Sequence, residues 1–505
     1  MRAFQPIPPF TLKRIQVAYL LESIDWLLIW NIVYFTVMIG VCLRIIYDTD
    51  STSKTLAYLL LVIFVPVIGI IIYFSFGINY KKRRMYTKKL VEGEIFLQEL
   101  EERVISYSKE IFASSATVQG YKELVKLLVK DGLSPLTGGN HVELLLNGEE
   151  KFPKVLQALR QAQHHIHLEY YVIDNDTIGN QIKDVLILKA RAGVEVRFIY
   201  DDYGSRAIRG EYVAELRAAG VEAYPFHKIH FLLLANRLNY RNHRKIIIID
   251  AQIGFVGGIN IADRYINQPQ HQERLFWRDT HLKIQGPGIY YLQYLFFCDW
   301  NFSSGQQLHP HRSYFVAEPQ PESHTLVQIA ASGPDSPHPT ILFSLLQAIF
   351  LAQKEVLITS PYFIPGESIL QALTVAAMGG VSVKLLVPGT SDSALVNAAA
   401  WSYYDDMLKA GVEIYLYQKG FVHSKTMVID GTVSMVGTAN MDNRSFELNF
   451  EVNAVVYDTA LSQQLRDVFY QDLEHATKIE LEAWRERSRL KQFFEKLARL
   501  LSPLL

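Results

Sequence analysis

The sequence has little cysteine and almost no net charge, and each shortage excludes a class of protein. Its 505 residues include only two cysteines, Cys42 and Cys298, and Cys42 lies in an apolar run. A disulfide framework and a cysteine-rich zinc site are therefore excluded. The 50 lysines and arginines balance 51 aspartates and glutamates, which gives a formal charge of -1. This balance argues against a globally basic nucleic-acid-binding protein, so we expect no nucleic-acid partner.

Two long apolar runs lie in the N-terminal part of the chain. They are Trp26–Leu43 and Leu56–Ile78, and the second run contains no charged residue. Each run is long enough to cross roughly 30 Å of hydrocarbon. We therefore predict a transmembrane helical hairpin within residues 1–80. The alternative, two buried core helices, fits the lengths and the lack of charge less well.

Basic residues flank this predicted hairpin on both outer sides. They are Arg2, Lys13 and Arg14 before it, and Lys81, Lys82, Arg83, Arg84, Lys88 and Lys89 after it. Because cytoplasmic flanks of membrane helices are enriched in Lys and Arg, this pattern predicts both termini in the cytoplasm. We expect a multi-pass protein of the cell (inner) membrane whose catalytic region is cytoplasmic and close to anionic lipid.

Beyond residue 105 the composition is that of an α/β protein, and its pattern occurs twice. Ile166–Ile173 and Val194–Tyr200 predict strands that flank a helix at Gln181–Ala192. The sequence of Ala219–Glu222 recurs as Ala410–Glu413. Other fragments recur in the same order and at similar offsets, which indicates two copies of one domain.

We predict five consecutive regions. They are two transmembrane helices (1–80), a basic juxtamembrane linker with helices (81–140), a first α/β domain (141–302), a second α/β domain (325–475) and an amphipathic C-terminal helix (476–505). The C-terminal stretch Leu481–Leu501 alternates apolar and basic residues, which is typical of a helix on anionic lipid. A helix packed on the second domain with a solvated basic face is an equal alternative.

The best-matched part of each copy carries one motif, H-x-K-x4-D-x6-G-x-x-N, which occurs in both copies without a gap. Its members are His243, Lys245, Asp250 and Asn260 in the first copy, and His423, Lys425, Asp430 and Asn440 in the second. The residues between Lys and Asp form a predicted strand, on which His and Lys point the same way. Two such copies would bring two imidazoles, two ammonium groups and two amides to one phosphoryl group.

The motifs resemble those of the phospholipase D superfamily, and the whole chain resembles its bacterial cardiolipin synthase branch. The stretches that carry this second resemblance are the second apolar run with Pro66, Gly69, Tyr73 and Gly77, Asn239–Lys245, Ser360–Pro365 and Arg499–Leu505. No position of either motif departs from the family pattern. The resemblance implies two tandem phospholipase D-like α-β-α domains in a pseudo-two-fold arrangement.

The resemblance also implies a mechanism through a phosphohistidine. His243 is the expected nucleophile and His423 the expected acid and base, although the near-symmetric sequence leaves this order open. Asp250 and Asp430 belong to the motif but are expected to be more structural than chemical, and Asp279 and Glu451 are the expected orienting carboxylates. The lysines and asparagines would stabilise charge on the phosphoryl oxygens, so no metal or other cofactor is expected.

For this branch the implied substrate is phosphatidylglycerol and the product is cardiolipin. Four alternative functions are a hydrolytic phospholipase D, a phosphatidylserine synthase, a phosphodiesterase acting on nucleic acid, and a membrane scaffold with a decayed site. The apolar runs argue against the second and third, and the two complete motifs argue against the fourth.

Overall fold

The computed structural model describes residues 25–49, 52–74, 115–132, 134–226, 240–267, 275–309, 311–391 and 393–502, with isolated positions between 102 and 112. The chain divides into an N-terminal unit, residues 1–79, and an α/β unit, residues 80–505. The predicted basic flanks at residues 2–14 and 81–89 lie outside the described residues.

Among the described residues of the N-terminal unit, one helix has membrane-spanning length, α1 (Trp26–Asp48). The Asp25 carboxylate caps it by accepting a hydrogen bond from the Leu28 backbone N–H at 3.0 Å. Residues 27–48 are apolar enough to cross a bilayer. Large apolar side chains such as Leu27 and Trp30 point outward, as expected for a helix in contact with lipid.

The second apolar run differs from the predicted straight span. It forms two short helices, α2 (Thr52–Phe64) and α3 (Pro66–Ile72), which fold back on each other. The rings of Tyr58 and Tyr73 lie 5.7 Å apart, and a Cβ on Gly69 would meet the Leu61 carbonyl oxygen at 2.5 Å. Proline lacks the backbone N–H that would continue the helix, so the chain turns before Pro66. The prediction of a second helix that spans the membrane is therefore not confirmed over residues 52–74.

In its described ranges, the α/β unit is built on one sheet of 15 strands in the order β19-β13-β12-β10-β15-β16-β18-β9-β1-β8-β6-β5-β2-β3-β4. Four further strands form two small sheets, β11-β17 and β14-β7. The strands are β1 (Thr137–Leu146), β2 (His165–Tyr170), β3 (Glu195–Asp201), β4 (Glu222–Phe226), β5 (Lys245–Ile249), β6 (Ile253–Gly257), β7 (Phe276–Arg278), β8 (Thr280–Gln285), β9 (Thr325–Ser332), β10 (Glu355–Thr359), β11 (Phe363–Ile364), β12 (Ser382–Pro388), β13 (Glu413–Tyr417), β14 (Gly420–Val422), β15 (Thr426–Ile429), β16 (Val433–Gly437), β17 (Met441–Asp442), β18 (Glu451–Tyr457) and β19 (Ala476–Lys478).

The strand order shows the duplication directly. From the central antiparallel pair of β1 and β9, the first half runs β1-β8-β6-β5-β2-β3-β4 and the second runs β9-β18-β16-β15-β10-β12-β13. In each half the three outermost of these strands are parallel and the others antiparallel. The predicted fold class, two tandem α/β domains in pseudo-two-fold arrangement, is confirmed. We call the two halves lobe 1 and lobe 2.

Helices cover both faces of the sheet. They are α4 (Ala116–Gly120), α5 (Lys122–Gly132), α6 (Asn147–Gln161), α7 (Thr177–Arg191), α8 (Glu211–Ala218), α9 (Ile289–Ser304), α10 (Thr340–Leu351), α11 (Gly366–Met378), α12 (Ala394–Ala410), α13 (Asn443–Glu447), α14 (Thr459–Leu473), α15 (Leu481–Arg485) and α16 (Arg489–Arg499). Strand β5 carries four consecutive isoleucines, all buried. Such a continuous apolar strand fits a sheet covered on both faces, and its rigidity fixes the motif residues at its ends.

The ends of the lobes differ slightly from the predicted domain limits. The sheet of lobe 1 begins at Thr137, ahead of the predicted limit at 141, because β1 pairs with β8 and β9. At the other end, β19 adds a strand to lobe 2 although it lies in the predicted C-terminal segment.

Candidate active site

The first motif histidine lies where an extended segment of lobe 1 reaches lobe 2. The backbone N–H of His243 donates to the Phe450 carbonyl at 3.0 Å, and the Phe450 N–H donates to the Arg241 carbonyl at 2.8 Å. Asn242 forms an isolated bridge with Phe450. Because Phe450 immediately precedes β18, lobe 2 holds the histidine of lobe 1 by its backbone.

The second motif histidine is held in the same manner with the lobes exchanged. Strand β14 of lobe 2 pairs in parallel with β7 of lobe 1, and Val422 lies opposite Arg278. The His423 N–H donates to the Arg278 carbonyl at 2.7 Å. Each imidazole therefore sits directly on the contact between the lobes, and both line one pocket there.

The orienting carboxylates are exchanged between the lobes. His243 Nδ1 lies 2.9 Å from the Glu451 carboxylate, and His423 Nδ1 lies 2.6 Å from Asp279 Oδ2. Glu451 belongs to lobe 2 and Asp279 to lobe 1. When each Nδ1 carries the proton that its carboxylate accepts, the lone pair of each Nε2 is available for chemistry.

The two carboxylates are fully buried, and the histidines and lysines beside them lower their pKa. Burial by itself would raise the pKa of Asp279, but His423 and Lys425 lower that pKa overall. Burial likewise opposes ionisation of Glu451, and His243 and Lys245 lower its pKa overall. Both groups are therefore anionic and can stabilise an imidazolium cation opposite them.

The imidazoles themselves are held neutral. Burial, followed by the charge of Lys425, lowers the pKa of His423 to about 3 against the opposing effect of Asp279. Burial also lowers the pKa of His243. A neutral imidazole can act as a nucleophile, and an anionic phosphodiester bound between the rings would favour protonation of one of them.

The motif lysines lie beneath the histidines. Lys245 Nζ donates to the His243 carbonyl at 2.8 Å, and Lys425 Nζ donates to the His423 carbonyl. Burial, with Lys425 nearby, lowers the pKa of Lys245 to about 7. Neither lysine lines the pocket itself, but each lies next to a histidine that does, and the two ammonium groups act on each other electrostatically.

The pocket has a volume of about 480 Å³ and is shared equally by the lobes. The motif asparagines Asn260 and Asn440 both line it, as predicted. Asn260 Nδ2 donates to the Tyr265 hydroxyl at 2.7 Å. The full lining consists of Tyr171, Val172, Arg241, His243, Asn260, Arg264, Tyr265, Trp277, Tyr362, Ile364, Val396, His423, Asn440, Asp442, Arg444 and Asn449.

The motif aspartates, which the resemblance implies to be more structural than chemical, do not line this pocket. The Asp250 carboxylate accepts hydrogen bonds from the backbone N–H groups of residues 163, 164 and 165, at 2.8 to 2.9 Å. Asp430 accepts the equivalent three bonds from residues 353, 354 and 355. Each aspartate ties the turn after its motif strand to the start of the neighbouring strand, β2 or β10, which is a structural role.

The sequence did not single out several residues that complete the site. The Thr438 hydroxyl donates to Glu451 Oε2 at 2.5 Å, and the Asn449 amide donates to Glu451 Oε1 at 3.1 Å. The Tyr171 ring lies edge-on to the His243 ring, with centroids 4.8 Å apart. Asn449 precedes Glu451 by two residues, so the alternation of a strand could have indicated it. Tyr171 is distant in sequence and had no such signal.

A metal centre is not evident in the described ranges. Across these ranges, no group of three or more His, Cys, Asp or Glu side chains is arranged to hold a metal ion. The pocket instead gathers basic and amide groups, a set suited to a phosphate.

Comparisons with known proteins define the class and then the family. Residues 155–281 and 345–473 match the family described as cardiolipin synthase, PLD-like domain, and residues 35–77 match phospholipase D-nuclease N-terminal. The duplicated sheet and its paired motifs therefore define a phospholipase D-like protein with two repeats. The chain belongs to the cardiolipin synthase family within that class.

Several relatives are similar over almost their whole length. Cardiolipin synthase of Alkalihalophilus pseudofirmus is 39% identical, over 94% of this chain and 93% of that protein. Cardiolipin synthase of Geobacillus kaustophilus is 41% identical over 93% and 92%, and cardiolipin synthase 2 of Bacillus anthracis is 40% identical over 91% and 88%.

A solved structure shares the fold. Phosphatidylserine synthase of Haemophilus influenzae has a TM-score of 0.57 and 14% sequence identity, over 76% of this chain and 100% of that chain. At this identity the likeness concerns the fold alone.

Proposed function

We propose that the protein joins two phosphatidylglycerol molecules to form cardiolipin and glycerol. The observation that supports this most directly is that His243 and His423, each oriented by a carboxylate of the opposite lobe, line one pocket. The family relationship, at about 40% identity over most of the chain, supports the substrate class. The phosphatidyltransferase is of the phospholipase D type.

In the first step His243 Nε2 attacks the phosphorus atom of the donor lipid. A P–N bond forms, and the bond from phosphorus to the oxygen of the head-group glycerol breaks. The other ring, protonated on Nε2 in the substrate complex, transfers that proton to the departing alkoxide, which leaves as glycerol. The lysines and asparagines of both motifs stabilise the negative charge on the non-bridging oxygens.

In the second step His423, now neutral, removes a proton from the terminal hydroxyl of a second phosphatidylglycerol. The hydroxyl oxygen attacks phosphorus, the P–N bond breaks, and cardiolipin forms. Asp279 stabilises the imidazolium on His423 at each stage, and Glu451 does the same for His243. One phosphodiester replaces another, so the reaction balances without a nucleotide.

The product assay separates this proposal from hydrolysis. Purified full-length protein is incubated with vesicles of phosphatidylglycerol, and the lipids are then separated. Cardiolipin with glycerol is expected. Phosphatidic acid with glycerol would instead indicate that water is the acceptor, and the proposal would be wrong.

The protein is associated with the membrane through its N-terminal apolar unit, and we propose that the catalytic region faces the cytoplasm. The basic residues at 81–89, which follow the apolar segment, support this orientation. The predicted multi-pass hairpin would put residues 25 and 81 on the same side, whereas α1 with the α2–α3 fold-back would put them on opposite sides. Reporter fusions at both chain ends distinguish these two arrangements.

We also propose that helix α16 inserts into the bilayer surface. The helix packs on α12 with its polar side, so that Glu495 is only 4% exposed and pairs with Arg487 at 2.7 Å. Its apolar side points outward, and the exposed apolar side chains are Leu490, Phe493, Phe494, Leu497, Leu500 and Leu501. An outward apolar face flanked by Arg489, Lys491 and Lys496 suits an anionic lipid surface better than water. This combines the two predicted alternatives, because the helix packs on lobe 2 and its apolar face is free.

A fluorescent probe tests this lipid contact. A polarity-sensitive dye on Phe494→Cys should shift to the blue when the full-length protein moves from detergent into nanodiscs with anionic lipid. Leu188→Cys on α7 is the matched control, because Leu188 is similarly exposed, 61% against 56% for Phe494. Equal spectra for the two labelled positions in nanodiscs would contradict the insertion.

A further inference from the structure

Three arginines line the pocket, and two of them, Arg241 and Arg444, lie next to the Tyr171 ring that contacts His243. Arg241 comes from the extended segment before His243, and Arg444 comes from α13 of lobe 2. Both line the same pocket and both act electrostatically on Tyr171, whose ring contacts His243. Neither belongs to the paired motifs, so the transfer chemistry described above leaves them without a role.

Arg241 is held in place but is not neutralised. It is 6% exposed, and its guanidinium lies over the Tyr203 ring at 4.6 Å. Among the described residues, its Nη1 has no hydrogen-bond partner. A buried guanidinium N–H without an acceptor is costly, and an anionic ligand would supply the missing acceptor.

Asp201, a carboxylate that interacts electrostatically with Arg241, already accepts hydrogen bonds from the backbone. Asp201 Oδ1 accepts the backbone N–H groups of Tyr203 and Gly204 at 3.0 and 2.8 Å, and Oδ2 accepts that of Asn242 at 3.2 Å. Asp201 therefore fixes the backbone next to Arg241 and offers the guanidinium only a general electrostatic effect.

Arg444 adds a second positive charge at the same place. Burial lowers its pKa, Asp442 opposes this, and the charge of Arg241 lowers the pKa further. Asp442 also lines the pocket and would repel an anion, but it accepts the Ser445 N–H at 2.7 Å. Two arginines close enough to repel each other favour an anion between them.

The arginine pair is not repeated at the positions that the duplication relates to it, although the motifs are repeated. The position equivalent to Arg241 in the second copy is Phe421, which packs on Trp277 with ring centroids 5.0 Å apart. The position equivalent to Arg444 in the first copy is Arg264, which has Asp174 at 3.8 Å and lies over Trp277. The doubled arginines therefore exist on one side of the pocket, where the pseudo-symmetry is broken.

We propose that Arg241 and Arg444 form a second phosphate subsite, which holds the phosphodiester of the acceptor lipid. This inference rests on the proposed function, because the phosphate of the donor occupies the cluster of histidines, lysines and asparagines. An acceptor phosphatidylglycerol carries its own phosphodiester one glycerol unit away from the attacking hydroxyl. Arginine suits such a group because its planar fork can bind two phosphate oxygens together.

The subsite would select the acceptor class. Water and free glycerol have no phosphate and gain nothing from the two arginines, whereas an alcohol that carries a phosphodiester is held near the phosphohistidine. The arginines then raise the effective concentration of the lipid hydroxyl over that of competing nucleophiles. Cardiolipin, which has two phosphates, would use the same subsite in the reverse reaction.

Two reactions of the full-length protein with the same donor test this subsite. Cardiolipin formation from phosphatidylglycerol needs both subsites, whereas exchange of radiolabelled glycerol into phosphatidylglycerol needs only the donor subsite. For Arg241→Gln we expect cardiolipin formation to fall about tenfold more than glycerol exchange, as for loss of a charged hydrogen bond. Arg241→Lys should recover part of the loss, because it keeps the charge but not the fork.

The matched control is Arg206→Gln, an exposed arginine of the same lobe that does not line the pocket; it should leave both rates as in the unmodified protein. Equal loss of both reactions in Arg241→Gln, including complete loss, would overturn the acceptor subsite, and so would unchanged cardiolipin formation. Failure of the unmodified protein to exchange glycerol would count against the proposed function instead.

Discussion

The two halves of the site share a motif but support their histidines differently. In one half His243 meets a glutamate, whose carboxylate also accepts bonds from Thr438 and Asn449. In the other half His423 meets the shorter Asp279, whose Oδ1 accepts only the neighbouring Thr280 backbone N–H among the described contacts. The two halves of the site therefore have the same reacting histidines, but they differ in the orienting carboxylates and in the groups that hydrogen-bond to those carboxylates.

The residue after the motif glycine shows why this difference is possible. Lobe 2 has Thr438 at this position, and lobe 1 has Gly258. A Cβ on Gly258 would lie 2.2 Å from Asp279 Oδ1, which is too close for any side chain. The shorter aspartate must approach the backbone to reach His423, and only glycine leaves room for it. The longer glutamate leaves room for a threonine hydroxyl that binds it.

The largest expected effect comes from removing either ring. His243→Ala and His423→Ala should each lower cardiolipin formation by at least about 10³-fold, because one loses the nucleophile and the other loses the acid and base. Labelling the phosphohistidine intermediate shows which lobe provides the nucleophile. With phosphatidylglycerol labelled in the phosphatidyl group, His423→Ala should accumulate label on His243, as found by peptide mapping. Label on His423 in the His243→Ala protein would reverse the assigned roles.

The next prediction tests whether lobe 1 requires glycine at position 258, directly after the motif glycine. Gly258→Ala should displace Asp279 and misplace the His423 ring, lowering kcat by roughly 10²-fold, since small misplacements near reacting atoms are costly. The measurement is the initial rate of cardiolipin formation, with circular dichroism as a check on folding. Gly120→Ala, where an added Cβ meets nothing within 4 Å, is the matched control and should retain activity. Full activity of Gly258→Ala would refute the steric account.

Sequence patterns were sufficient for the repeated part of the fold. The predicted strand at 166–173 corresponds to β2, and the predicted strand at 194–200 corresponds to β3. The paired motifs indicated both histidines and both asparagines, and all four line one pocket. These features depend on local periodicity, which a sequence records directly.

Features that depend on distant partners could not be predicted. The sequence indicated Asp279 and Glu451 as orienting groups, but it gave no reason to assign each to the histidine of the opposite lobe. That exchange follows from the β7–β14 pair and the Asn242–Phe450 bridge, which join residues far apart in the chain. Likewise, hydropathy gave the length of the second apolar run but not its reversal at Pro66. Arg241 lies two residues before a motif histidine, but the motif does not include it, so its spacing carries no functional signal.

A smaller effect should follow from loss of the Thr438 hydroxyl in lobe 2. Thr438→Val keeps the shape but removes a donor that lowers the pKa of Glu451. Glu451 should then protonate at a higher pH, so the acid limb of the pH–rate profile should move upward, and kcat should fall about tenfold. Thr432→Val, at the turn between β15 and β16, is the control that should leave the profile unchanged. A uniform decrease in rate without a shifted acid limb would contradict a role through Glu451.

The smallest effect on catalysis should come from Asp250→Asn and Asp430→Asn, where the lobes are most alike. Both aspartates adopt a positive φ of 53°, which asparagine tolerates, so the turns should persist. Each change weakens three hydrogen bonds from backbone N–H groups to a charged acceptor, and we expect a loss of about 1 to 2 kcal/mol in the free energy of unfolding, discounted for partial exposure. Because both carboxylates bind the same three positions of their repeats, the two variants should lower Tm equally, as measured by thermal denaturation, with little loss of activity well below Tm. A large loss of activity at an unchanged Tm in only one of the two variants would show that its aspartate takes part in catalysis. The duplication would then be less symmetric than the strand order indicates.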